Sequence, residues 1–301
     1  MDGEINWPRK TREMQIYCMD STYWNDFKFR DDDIIIATWG KSGTTWVQQI
    51  VAQFIFNGET EGLPVGDMSM WVDFRLPPLE VKMPLIEAQE HRRFLKTHLP
   101  VDALVFSPKA KYIYVGRDGR DSVWSTYNHH VNQLDWVYEA LNELPYMGPV
   151  VQKPTTTDMR EYFYEWYEKE GYPFWPFWEN VRSWWEVRNL PNVMMLHFQN
   201  LKNDMEGEMR RVGEFLGCEV DESQWEKMVL HCTFDFMKKN APESAPLQGS
   251  LWEGGAETFV NKGTNGRWLD TLTDADVAVY EKRADDELGA DCARWLATGE
   301  M

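Results

Sequence analysis

The stretch Asp33-Ile34-Ile35-Ile36-Ala37-Thr38-Trp39-Gly40-Lys41-Ser42-Gly43-Thr44-Thr45-Trp46 decides how this chain folds. Its first half is a short apolar run with β-branched residues, which predicts a buried strand, and Gly40-Lys41-Ser42-Gly43 then turns the chain. From Trp46 onward, Val47, Ile50, Val51, Phe54 and Ile55 recur at three- and four-residue spacing until Asn57-Gly58, the pattern of a core-facing helix with a C-terminal stop. In such a strand, glycine turn and helix, successive N–H groups converge and the helix start adds positive potential, so Lys41-Ser42-Gly43-Thr44-Thr45 reads as an anion-binding loop. The phosphate-binding pattern Gly-x-x-x-x-Gly-Lys-Ser/Thr would need a further glycine at position 35, which is Ile35.

Working outward, Arg93–His98 reads as a second strand closed by Leu99-Pro100, and Lys111–Val115 as a third that runs into Gly116-Arg117-Asp118-Gly119 and a helix through about Asn128. Asn192–Phe198 reads as a fourth strand, followed by a helix over Met205–Leu216 that stops at Gly217. Strands alternating with helices predict an α/β fold: a single domain over 1–301 with a central, mostly parallel sheet flanked by helices and ligands gathered at the carboxyl ends of the strands. The aromatic stretch between about 159 and 187 reads mainly as helix-packing core. Residues 240–267 contain Pro242, Pro246 and five glycines with little periodicity, which predicts a long irregular lid or cofactor-covering loop.

The chain has 301 residues, 43% of them hydrophobic, with 16 Trp, 15 Phe and 12 Tyr to fill a core. Thirty-one basic against 49 acidic residues leave a formal charge of −18, which argues against nucleic acid as a partner and requires any anionic ligand to be met by locally concentrated positive charge. The N-terminal residues lack an apolar signal region, and no run approaches the roughly 18 apolar residues of a spanning helix, so the expectation is a cytoplasmic protein with no transmembrane segment. Cys18, Cys218, Cys232 and Cys292 form no CxxC pair, and the six histidines lack ligand spacing, so no metal is expected.

His98 follows Lys96-Thr97 at a strand end. An imidazole there is suited to removing a hydroxyl proton near neutral pH, with Lys96 holding developing negative charge. Arg117 ends the third strand and Ser125 lies about two helical turns on, so both can reach one phosphate beside the sheet. Together these segments resemble the cytosolic sulfotransferase family, in particular its bacterial members, over roughly residues 20 to 270. The family transfers a sulfuryl group from 3′-phosphoadenosine 5′-phosphosulfate (PAPS), leaving adenosine 3′,5′-bisphosphate (PAP).

Lys41-Ser42-Gly43-Thr44-Thr45-Trp46 matches the family's phosphosulfate loop, whose Trp packs on adenine. Lys96-Thr97-His98 matches the strand end that carries the catalytic base. Arg117 and Ser125 match the 3′-phosphate pair, Gly171 through Trp185 the aromatic segment, Phe234 the second adenine-stacking ring, and Phe259-Val260-Asn261-Lys262-Gly263-Thr264 the late 3′-phosphate loop. The resemblance implies that His98 takes the acceptor proton, Lys41 meets charge on the bridging oxygen, Lys96 holds the sulfuryl oxygens, and Ser125 bridges the 3′-phosphate and Lys41.

Departures are also visible. Asn261 stands where the family usually has Arg, Phe198-Gln199-Asn200 where many members have Tyr-Glu-Asp, and Leu269, Asp274 and Ala278 break the animal dimer motif, which leaves the oligomeric state open. The implied function is sulfuryl transfer to a hydroxyl of a small apolar or aromatic acceptor, an alcohol or phenol. Trp24, Phe27, Trp71, Phe74, Trp136 and Tyr138 are candidates for the pocket wall. The alternatives are a Mg²⁺-dependent kinase or NTPase using the same glycine turn, and a non-catalytic nucleotide-binding protein.

Overall fold

Four strands, β1 (Ile34–Thr38), β2 (Phe94–Thr97), β3 (Lys111–Gly116) and β4 (Val193–His197), lie parallel in the order β2-β1-β3-β4. The computed structural model describes residues 5–146, 148–174 and 176–301, so Met1–Glu4, Met147 and Trp175 lie outside it. Side chains alternate across a strand, and the sheet is accordingly buried on both faces. Ile35, Ala37, Leu95, Tyr112 and Tyr114 join a core with Phe177, Trp184 and Trp295. Ile34, Ile36, Phe94, Ile113, Val115 and Leu196 join a second core with Val47, Ile50, Val51, Met209 and Val212. Wherever the β1 residues fall, all five are buried, which is why the run reads as continuously apolar.

The glycine turn opens into helix α1 (Thr44–Ile55), and the stop at Gly217 ends the helix Met205–Leu216 in the left-handed conformation, as the sequence predicts. The helix after β3 spans Gly119–Val131, three residues beyond the expected end, because the polar Asn128-His129-His130 carries no apolar periodicity to reveal its last turn. A short helix, Phe198–Asn203, follows β4 directly. The aromatic stretch forms the helices Met159–Glu168 and Phe177–Glu186, with Phe163, Trp166, Trp178 and Trp184 in the core. Residues 240–267 are more ordered than expected: two short helices, Ala241–Ser244 and Gly255–Phe259, and a 3₁₀ turn, Pro246–Gly249, interrupt them. Among the described residues no helix is long and apolar enough to cross a membrane.

Beneath the site the sheet is anchored by a buried ion pair. Arg93 donates from Nε to Asp33 Oδ1 at 2.7 Å and from Nη2 to Oδ2 at 2.5 Å, with both side chains 2% exposed or less. This forked pair joins the N-terminal ends of β1 and β2 and so fixes their register.

Candidate active site

Because the four strands are parallel, their carboxyl ends share one edge: Ala37 pairs with Thr97, Thr38 with Val115, and Gly116 with His197. The residues that leave that edge, Gly40-Lys41, His98, Arg117 and Phe198, line a cavity of about 540 Å³. Lys41, Gly43, Thr44, Thr45, Trp46, Lys96, His98, Arg117, Ser125, Phe234, Asn261, Lys262 and Gly263 all line it. Of the expected site residues only Ser42 does not; it is 2% exposed and buried within the turn.

The turn is shaped for an anion. Gly43 has φ +110°, and a Cβ there would stand 2.8 Å from Phe198 Cδ2. Gly43 precedes α1 with no side-chain cap, so the helix's first N–H groups have no intrahelical partner and none from a capping side chain. Lys41 also adopts a left-handed backbone, φ +66°, a conformation that costs a non-glycine residue about 1–3 kcal/mol and concentrates at ligand-binding sites. Burial, then Lys96 and Arg117, pull the Lys41 pKa down to about 7. Lys96 is pulled down to about 8 by burial, against the opposing charges of Asp67 and Asp73. Lys41, Lys96 and Arg117 line one cavity, and a bound polyanion would relieve the repulsion that Lys96 and Arg117 exert on Lys41.

His98 is held from behind. Its Nδ1 lies 2.9 Å from the carbonyl oxygen of Thr38 and 2.9 Å from Thr38 Oγ1, which in turn is 2.8 Å from Thr44 Oγ1. A carbonyl only accepts, so the proton is on Nδ1 and Nε2 keeps the lone pair on the part of the ring left for the cavity. The ring meets Trp71 edge-on at 4.6 Å, and Asp73 fixes that tryptophan by accepting from its Nε1 at 2.7 Å. Burial, with Lys96 and Lys41 adding to it against the Thr38 hydrogen bond, lowers the His98 pKa to about 3, so the imidazole is neutral across the physiological range.

Arg117 donates to three acceptors, Lys41 O at 3.0 Å, Thr264 O at 2.9 Å and Asn265 Oδ1 at 3.0 Å, while its guanidinium lies 4.2 Å from the centre of the Phe198 ring. It thereby ties the glycine turn to the late loop. Burial lowers its pKa to about 10, against the nearby Asp121 and Asp118, so it remains charged. Trp46 is held by donation from Nε1 to Cys232 O at 2.8 Å, and Phe234 is 40% exposed at the cavity wall, with Gly263 close against its ring.

The wall differs from expectation in part. Trp71 and Phe74 line the cavity and stack at 4.6 Å. Trp24 and Phe27 are core instead: Trp24 is fully buried, donates to Asp73 and packs against Phe27. Trp136 is 49% exposed at the surface, because one step from Val137 turns a helical side chain by about 100° away from the wall that Val137 and Leu141 form. Tyr138 is buried and donates to His130 O rather than lining the cavity. Phe174, His129, Gln133 and Trp252 line it and were not singled out from the sequence; Phe174 was hidden within the aromatic stretch.

A profile of the sulfotransferase domain matches residues 31–291. The chain belongs to the sulfotransferase family. This sulfotransferase is 29% identical over 302 residues to a glycolipid sulfotransferase of Mycobacterium bovis, covering 93% of this chain and 92% of the relative. It is 28% identical over 262 residues to 3-alpha-hydroxysteroid sulfotransferase of Cavia porcellus, covering 85% and 83%. Mouse sulfotransferase SULT7A1 complexed with PAP shares its fold with a TM-score of 0.69 at 21% identity, over 91% of this chain and 90% of that one. Retinol dehydratase in complex with androsterone and PAP gives 0.66 at 22% identity, over 90% and 86%. The sulfotransferase is therefore an enzyme of the sulfuryl-transferring class, on an α/β fold with a central parallel sheet.

Proposed function

We propose that this sulfotransferase uses PAPS as donor and transfers its sulfuryl group to the hydroxyl of a small apolar or aromatic acceptor, with His98 as general base. The observation that carries this reading is the neutral His98, whose Nδ1 proton is committed to Thr38 while its Nε2 is left for the cavity that also holds Lys41 and Lys96. The residues fit a nucleotide with phosphates at both ends of its ribose: a cap-free helix start with Lys41 for one end, Arg117 with Ser125 and the loop Asn261–Gly263 for the other, and the rings of Trp46 and Phe234 for a planar base. Two relatives or neighbours crystallised with PAP support the same donor.

In this reading His98 Nε2 accepts the acceptor's hydroxyl proton as that oxygen attacks sulfur, and the bond from sulfur to the bridging phosphate oxygen breaks. Lys41 meets the charge growing on that bridging oxygen, and Lys96 the charge on the sulfuryl oxygens. The donor's negative charge raises the proton affinity of His98 at the moment the base is needed. Apolar residues such as Phe74, Phe174, Val137 and Leu141 suit an apolar acceptor, consistent with relatives named for glycolipid and hydroxysteroid substrates. Residues 240–267 contribute Leu247, Leu251, Trp252 and Phe259 to the wall and serve in this proposal as its cover. The test is incubation with PAPS and a mixture of phenols, sterols and glycolipid alcohols, read by mass spectrometry for compounds that gain SO₃; no sulfated product together with no PAP binding would refute it.

A further inference from the structure

Two groups touch the end of Lys41. Its Nζ lies 3.4 Å from His129 Nδ1 and 4.5 Å from the centre of the Phe259 ring. His129 sits in the last turn of the helix Gly119–Val131, four residues after Ser125, so the two share one helix face a turn apart, and both line the cavity. The resemblance implies that Ser125 bridges the 3′-phosphate and Lys41; a turn further along the same helix, His129 Nδ1 is the nitrogen that the Lys41 amine reaches in this structure. The imidazole is itself fixed, with ring centres of Trp252 at 4.9 Å, His130 at 5.2 Å and Phe259 at 6.1 Å.

An ammonium only donates, so Nδ1 is the accepting nitrogen of a neutral ring. Burial, followed by Lys41, His130, Lys96 and His98, pushes the His129 pKa well below its ordinary value and keeps it neutral. The charged and titratable groups that face Lys41 are Lys96 and His98 from the β2 edge, Arg117 beyond β3, and His129 and His130 from the helix. Lys96 and Arg117 oppose a charge on Lys41, whereas a lone pair aimed at Nζ favours it.

We propose that His129 is a positioning residue for sulfuryl transfer: its Nδ1 accepts a hydrogen bond from Lys41 Nζ and, with the face of Phe259, holds that amine protonated and directed at the donor site. The inference rests on the role given to Lys41 in the proposed reaction. A neutral acceptor is suited to the task where a carboxylate is not, because it favours the ammonium without neutralising the field that draws a polyanion into the cavity.

The proton affinity of Lys41 can be read without any reaction, by competitive labelling with acetic anhydride across pH and mass spectrometry of the Lys41 peptide. His129→Phe keeps an aromatic ring between Trp252 and Phe259 but removes the acceptor, and is expected to move the labelling midpoint of Lys41 down by about half to one pH unit. His129→Gln, which offers a carbonyl oxygen, is expected to move it back toward the wild-type midpoint. In turnover, His129→Phe should lower kcat/KM for PAPS about two- to fivefold at pH 7 and recover part of it at lower pH, as a smaller protonated fraction of Lys41 in the free enzyme requires. Identical labelling midpoints for the wild type and His129→Phe, or a His129→Gln midpoint that stays with His129→Phe, would overturn the proposal. If no acceptor is sulfated, the proposed reaction fails, while the labelling midpoints still decide what His129 does to Lys41.

Discussion

Replacing His98 by asparagine separates the two things this residue does. In the structure Nδ1 supplies a donor to the Thr38 carbonyl and hydroxyl, each at 2.9 Å, and Nε2 is left for the cavity. Asparagine places an N–H near the position of Nδ1 and nothing near Nε2, so His98→Asn should keep the link to β1 and remove the base. A positioned general base contributes about 10²–10⁴-fold, and kcat should fall by that factor. PAP affinity, which depends on Lys41, Arg117 and the glycine turn, should stay within about threefold of wild type, under 1 kcal/mol. His98→Ala should lose activity equally but also stability, by about 1–3 kcal/mol, because the buried Thr38 carbonyl then loses the donor that Nδ1 supplies. The assay pairs initial rates of acceptor sulfation with calorimetric titration of PAP and a thermal melt of each variant. Turnover by His98→Asn within a few-fold of wild type would remove His98 from the base role, whatever its effect on stability. The low pKa adds a second signature. His98 gains a proton only near about pH 3 in the free enzyme, so kcat/KM should show no acid limb from this group near pH 6.5. A bound anionic donor raises that pKa, and the acid limb of kcat should lie at higher pH than that of kcat/KM.

Lys41, held down to about 7 by burial, Lys96 and Arg117, should take up a proton when PAP binds. Above pH 7 the free enzyme carries it partly neutral and a bound polyanion favours the charged form, so the affinity for PAP should decline as pH rises from 7 toward the Lys41 pKa of the complex. Calorimetry of PAP binding at pH 7.5 in buffers of different ionisation enthalpy should show net proton uptake that Lys41→Met abolishes; equal heats in all buffers would contradict the assignment. Arg117→Ala should weaken PAP binding about ten- to a hundredfold, the worth of a charge-assisted hydrogen bond of roughly 1.5–3 kcal/mol, and unchanged affinity would refute its place at the donor site. Asp33→Asn strands the buried guanidinium of Arg93 and should cost about 3–5 kcal/mol of stability in a denaturant titration; a loss under about 1 kcal/mol would show that the pair is not what holds the ends of β1 and β2.

What the sequence disclosed follows from how the chain satisfies local and global constraints at once. The strands were legible because both faces of a parallel sheet are buried, leaving runs such as Ile34-Ile35-Ile36 with no polar interruption. His98 and Arg117 were legible because a parallel sheet delivers every strand end to one edge, so a residue's place just past a strand is already its place in the site. The acceptor wall was not, because an aromatic side chain satisfies the same burial against protein or against a void. Trp24 and Trp71 lie within hydrogen-bond reach of one carboxylate, Asp73, yet Trp24 is closed in by Phe27 and Phe29 while Trp71 faces the cavity beside His98. Nothing in their flanking residues distinguishes them; the difference is made by which elements pack on the far side. The contact between Lys41 and His129 is the same problem in polar form, since 88 residues separate them and neither has a local pattern that names the other. A polar residue at the end of a helix reads as solvated surface until the fold brings a cation to it, and His129 acquires its chemistry only because the glycine turn after β1 and the last turn of the helix after β3 open onto the same edge of the sheet.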